Sequence, residues 1–375
     1  MKKFFALITA CIIIISTIRI PRSEAENCSA YVLVEASTQT VLEEENSDKE
    51  LNCGSLSKLM TILLIAEDIE TGRFALSDIL TAPNDVTDTK GAVIWLESGD
   101  KILVEELLKA VIIGNANDAV TTLAVASRQS VENFTSEMNR KAFELGLRHT
   151  AFYSPYGYYD EREHSTARDI AIICAELTQF DFLEPYFKTR RDFIKNGATE
   201  LVTENKLTDT FKQHIGFKAS HSRQSGYCIA EGGRSESGDI FIAVVLGAEN
   251  EDSSFPLAKK LVNKGFNGYK VTVPGFLDEL LLPLKVKHGV EGAVELQLRS
   301  QSSIVIPKGT AELKNKVILP EYISAPIKKG QKIGAVGFYN KDTLVFETEI
   351  VTKNSVKKIG FGFVFKKMLS DLLKK

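Results

Sequence analysis

The 375-residue sequence predicts an α+β protein: helices on an antiparallel sheet, then a small β-sandwich, then a C-terminal amphipathic helix. Three observations carry this. Apolar residues recur at helical spacing in several stretches between residues 55 and 177, and the runs YCIAEGGR (227–234) and IFIAVVLGA (240–248) have the length and composition of buried antiparallel strands. From Tyr269 to Thr352 the pattern changes to short β-like runs (KVTV, AVELQL, SIVIP, KIGAVGFY, LVFETEIV) between Gly, Pro and Asn turns, with helix-like patterning only at FLDELL, 276–281. The tail from Lys353 carries seven lysines against one aspartate and sets Phe361, Phe365, Met368, Leu369 and Leu372 on one helical face. The expected divisions are a signal peptide at 1–25, a main domain at 27–265, the β-sandwich at 269–352 and the terminal helix at 353–375.

At the N-terminus, MKKFFALITACIIIISTI sets two lysines before an apolar run, and small residues lead to Ala25. This reads as a secretory signal peptide cleaved after Ala25, with an uncleaved signal anchor as the alternative. ITAC at 8–11 loosely fits a lipoprotein cleavage box, but the apolar run continues past Cys11. Export leaves Cys28, Cys53, Cys174 and Cys228 in an oxidising setting; four cysteines allow three pairings, and a Cys28–Cys53 bridge is one candidate. The five histidines are scattered, without H-x-x-H or C-x-x-C spacing, so neither a metal nor a cofactor is expected. A net charge of −3 argues against nucleic acid.

Taken in order, AYVLVEASTQTVLEEE from Ala30 reads as two strands joined by a polar turn. In GSLSKLMTILL, Ser55 is placed to open a helix with Leu56, Leu59, Met60 and Leu63 as its buried stripe and Gly72 as its stop. After a polar stretch to Gly99, VEELLKAVIIGNANDAVTTLAVA predicts two helices broken at residues 114–118, a break whose ordinary reading is a loop with Asn and Asp capping the next helix. Helical patterns follow from Asn133 to Leu145 and Ser165 to Leu177, around the aromatic, turn-rich TAFYSPYGYYDEREH. In IGFKASHSRQSG, the KAS segment predicts an edge strand carrying Lys218.

Ser55 and Lys58 stand one helical turn apart. A serine hydroxyl needs a base, and a lysine serves only when burial or a neighbouring cation lowers its pKa. The helix N-terminus adds partial positive charge for an attacked carbonyl. By itself S-x-x-K is more often an N-cap beside a solvated lysine.

Two further segments shift that balance. S-x-x-K, followed by segments standing where S-x-N and K-T-G would, resembles the penicillin-binding proteins, above all the low-molecular-mass serine D-alanyl-D-alanine carboxypeptidases (peptidase S11). The resemblance spans the mature chain: GSLSKLMT, GNANDAV, YSPYGYYD with HSTARDIA, GFKASHS with GYCIA, IFIAVVLGA, IKKGQKIGAV and the basic tail. It implies a transpeptidase/β-lactamase-like domain, a β-sandwich and a membrane-associating helix. In that family the serine attacks the penultimate D-alanine carbonyl, the lysine takes its proton, and water resolves the acyl-enzyme. Carried over, the catalytic residues are Ser55, Lys58 and Asn115, the substrate-binding ones Asn117, Lys218, Ser222 and His221, and the oxyanion-hole amides those of Ser55 and His221.

The departures lie in the later motifs. The serine of S-x-N is Asn115, whose carboxamide cannot pass a proton to the leaving amine. K-T-G is Lys218, Ala219 and Ser220, which loses one hydroxyl and adds a side chain where glycine stands. The family's carboxylate-binding arginine is Ser254, before Phe255. Each such loss typically costs on the order of 10² to 10³ in rate. The reading is therefore an exported carboxypeptidase at the extracytoplasmic membrane face, with weakened activity, taking peptidoglycan stem peptides as substrate, β-lactams as covalent inhibitors and anionic lipid as the tail's partner. The alternative is a non-catalytic scaffold that binds peptidoglycan or a partner protein. A β-lactamase is disfavoured for want of a placed deacylating carboxylate.

Overall fold

The computed structural model describes residues 28–158, 160–276, 281–300 and 302–373. The expected signal peptide lies outside these residues, as do positions 277–280 of the FLDELL stretch.

The sheet of the first domain has five antiparallel strands: β1 (Ala30–Glu35), β2 (Thr40–Glu45), β3 (His214–Ser222), β4 (Gly226–Arg234) and β5 (Ile240–Ala248), in the order β2-β1-β5-β4-β3. The expected KAS edge strand is β3. Side chains alternate along β5, and both faces are covered. Ile242, Val244 and Leu246 enter one apolar cluster, Phe241, Ala243 and Val245 another. Two covered faces explain why this strand reads as an unbroken apolar run.

The larger cluster is roofed by α1 (Lys58–Glu70), α2 (Val104–Ile112), α3 (Asn117–Arg128), α4 (Val131–Glu144) and α5 (Ala167–Leu177). The expected stripe on α1 understates its burial, since every residue from Lys58 to Ala66 is buried. It is a central helix, ended as expected where Gly72, at φ +78°, donates its amide to the Ile69 carbonyl at 3.1 Å.

The opposite face is covered by α6 (Glu251–Gly268), a helix the sequence reading did not predict. Pro256 in its second turn hides it, although Leu257, Ala258, Leu261, Val262 and Phe266 supply a buried stripe at helical spacing. Cys53 is a free thiol in the first cluster while Cys28 packs against the second, so the candidate Cys28–Cys53 bridge is not made.

The C-terminal β domain closes a third core between a three-stranded and a four-stranded sheet. Its pairing continues beyond Thr352, with Val356, 1 % exposed, opposite Ile327, and Lys358 opposite Gly289. Only then does α7 (Phe361–Leu372) begin.

Candidate active site

The S-x-x-K turn is tighter than a simple helix start. Residues Gly54–Ser57 form a 3-10 turn running into α1, and Ser55 is not a side-chain cap. Its Oγ instead accepts a hydrogen bond from Asn115 Nδ2 at 3.1 Å. Asn115 reaches it from the break between α2 and α3, where its φ of +58° is a left-handed conformation that Asn tolerates better than most residues.

Lys58 is 2 % exposed and donates from Nζ to the Tyr156 carbonyl at 2.7 Å. Burial, and next the charge of Lys218, push its pKa well below the usual lysine value, toward the neutral form that a base requires. The acceptor comes from the aromatic segment between α4 and α5, which packs hard on the S-x-x-K turn. A Cβ on Gly157, at φ +75°, would fall 2.0 Å from the Gly54 carbonyl oxygen, so only glycine fits there. Thr61 Oγ1 donates to the Pro155 carbonyl at 2.9 Å. The buried Glu163 ties the segment down, accepting from Ser57 Oγ at 2.9 Å and from the amides of Tyr153 and Ser154 at 3.2 Å. Burial raises the pKa of this carboxyl despite those donors. Glu163 is thereby bonded to Ser57 and the segment backbone.

Lys218 rises from β3 with 3 % exposure and donates to the carbonyls of Val111 and Ile112, at 3.0 and 3.1 Å. These are terminal carbonyls of α2, the negative end of its dipole, which favours a cation there. Burial still brings Lys218 down to about 8. Asn117, the last residue of the second motif, donates to the Lys90 carbonyl at 2.6 Å and to the Tyr158 hydroxyl at 3.2 Å. The Oδ1 atoms of Asn115 and Asn117 are both buried without a partner among the described residues. They are the acceptors left for an incoming donor.

At the end of β3 the expected residues diverge. His221 is exposed and stacks on Tyr227 with ring centroids 4.0 Å apart. The Ser222 hydroxyl is engaged within the hairpin turn, accepting from the Ser225 amide at 3.0 Å and meeting Ser225 Oγ at 2.8 Å. Ala219 faces the second apolar cluster. Ser254 is 2 % exposed within α6, its hydroxyl donating to the Glu251 carbonyl at 3.3 Å. The sequence reading did not assign Tyr156, Tyr158, Lys90 or Glu163 to the site. For the tyrosines the signal was Gly157 standing between them in the sequence; for Glu163 there was none.

Comparison with known proteins follows the same outline. The family model for D-alanyl-D-alanine carboxypeptidase matches residues 18–250, and that for the penicillin-binding protein 5 C-terminal domain matches 278–358. The D-alanyl-D-alanine carboxypeptidase DacF of Bacillus subtilis is 30 % identical over 93 % of this chain and 91 % of its own. For DacC of Escherichia coli the figures are 29 %, 92 % and 87 %. Penicillin-binding protein 5 from Haemophilus influenzae superimposes with a TM-score of 0.80 at 25 % identity, over 88 % of this chain and 98 % of that one. Penicillin-binding protein D2 from Listeria monocytogenes in its cefotaxime-bound form gives 0.58 at 25 % identity, over 66 % and 99 %.

Proposed function

The chain belongs to the D-alanyl-D-alanine carboxypeptidase family, serine hydrolases acting on peptidoglycan, and we propose that Ser55 is its nucleophile and Lys58 the base. The neutral Lys58 amine takes the Ser55 proton, and Oγ adds to the carbonyl of the penultimate D-alanine. The amides of Ser55 and His221 receive the oxyanion, Asn117 Oδ1 accepts from the peptide amide, and Lys218 meets the terminal carboxylate. The C–N bond then breaks and the released D-alanine amine gains its proton from Lys58. Water, deprotonated by the same amine, cleaves the ester.

What carries this reading is a lysine held dry one turn from Ser55 with its pKa lowered. Asn115, on the serine oxygen, gives that oxygen a hydrogen bond but cannot relay a proton, and Ser254 supplies no cation. Both support weakened turnover. The test is intact-protein mass spectrometry with benzylpenicillin. A covalent adduct is expected on the wild-type chain and its complete loss in Ser55→Ala; an unchanged wild-type mass after hours at millimolar penicillin would refute the assignment.

The terminal helix supports a place at the extracytoplasmic membrane surface. No helix among the described residues is long and apolar enough to cross a bilayer. On α7, however, Phe361, Phe365, Met368 and Leu369 are all exposed, and Phe363 and Val364 widen the apolar surface; the side chain of Leu372 lies outside what is described. These residues suit the headgroup boundary, with the lysines on anionic lipid contributing about 1 kcal/mol each. Because Val356 belongs to the β-domain core, the informative truncation is after Gly360. That chain is expected to keep its penicillin adduct and to stop sedimenting with phosphatidylglycerol vesicles, as is Phe365→Asp/Leu369→Asp. Undiminished sedimentation of the truncated chain would move the anchor elsewhere.

A further inference from the structure

The amide that the proposed mechanism needs first is already occupied. Ser55 N–H donates to Ser220 Oγ at 2.9 Å, across 165 residues of sequence. We infer that Ser220 is a built-in occupant of the oxyanion hole, which the substrate carbonyl must displace, and that it thereby sets the acylation rate; this rests on Ser55 being the nucleophile.

The strand geometry leaves this hydroxyl little freedom. Lys218 and Ser220 share one face of β3, opposite Ala219, so the Ser220 side chain is directed at the S-x-x-K turn. Its backbone is fixed by pairing with Cys228 in β4, and the residue is 6 % exposed. The contact with the turn is close, since a Cβ on Gly54 would fall 2.6 Å from Ser220 Oγ. A backbone amide has one proton. While that proton is held by the hydroxyl it is not available to a carbonyl oxygen, and an oxyanion-hole donor is worth about 10² to 10³ in rate. The hydroxyl proton itself has no acceptor among the described residues, which defines the competing role: a side chain that turns and donates to the oxyanion.

The two roles predict opposite signs. Benzylpenicillin acylation of Ser55 is followed by intact mass for the full mature chain and for Ser220→Ala and Ser220→Gly, with thermal unfolding as the fold control. Occupancy predicts faster acylation in both, by about 10²-fold for glycine and less for alanine, whose methyl still crowds the amide. A peptide boronic acid, whose tetrahedral adduct mimics the oxyanion, should bind the variants more tightly in the same order; a purely structural role for Ser220 would not produce that ordering. If the glycine variant does not fold, alanine decides. Wild-type acylation with equal or slower rates in the folded variants overturns the inference and leaves Ser55 as the nucleophile. No adduct on any of the three chains overturns both.

Discussion

Replacing Lys58 with methionine is expected to slow β-lactam acylation of Ser55 by about 10³-fold, the scale of a lost general base. Methionine has nearly the volume of lysine and suits the buried site, so the fold should survive, with the Tyr156 carbonyl losing its donor. The pH profile separates the base from a mere packing role. Lys58 works only when neutral, so the wild-type rate climbs as its proton leaves. Burial and then the charge of Lys218 place that climb well below the ordinary 10.5. Lys218 titrates at about 8, and above that it loses the charge proposed to meet the substrate carboxylate. The wild-type rate is therefore expected to rise as Lys58 loses its proton and to be bent down beyond about 8 as Lys218 loses its charge, and the rising limb disappears in Lys58→Met. A rate that is insensitive to the substitution, or a profile still rising at pH 10, would contradict both assignments.

Restoring the relay hydroxyl with Asn115→Ser should raise release of D-alanine from a diacetylated lysyl-D-alanyl-D-alanine peptide by about 10²-fold. The reason is chemical. Asn115 Nδ2 donates to the Ser55 oxygen at 3.1 Å, but a carboxamide N–H is too weak an acid to transfer its proton, which leaves Lys58 to protonate the leaving amine unaided in the proposed mechanism. An unstrained amide needs that protonation far more than a strained β-lactam does, so peptide turnover should gain more than penicillin acylation. The substitution has a cost in stability rather than rate: at a φ of +58° serine is less tolerated than asparagine, by roughly 1 kcal/mol. A lower Tm with faster D-alanine release is the expected pair of results. A lower Tm with no faster release would mean that proton delivery is not what limits this enzyme.

The sequence by itself determined those features that repeat within a few residues. Composition and length marked the buried strands β4 and β5, helical spacing marked α1 to α5, and the i, i+3 spacing of Ser55 and Lys58 put hydroxyl and amine on one turn whatever the surroundings. Where a local signal was interrupted, as by Pro256 in α6, the reading failed even though the apolar stripe was present. What only the tertiary structure decided was the chemical state of those groups. Lys58 meets the Tyr156 carbonyl across 98 residues, Lys218 meets the Val111 carbonyl across 107, and Ser220 reaches the Ser55 amide across 165. A pKa is set by desolvation and by charges a few ångströms away, and a donor is open or closed according to what packs against it. Neither quantity has a period along the chain; both follow from the way the edge strand β3 and the loop ahead of α5 close over the turn at Ser55.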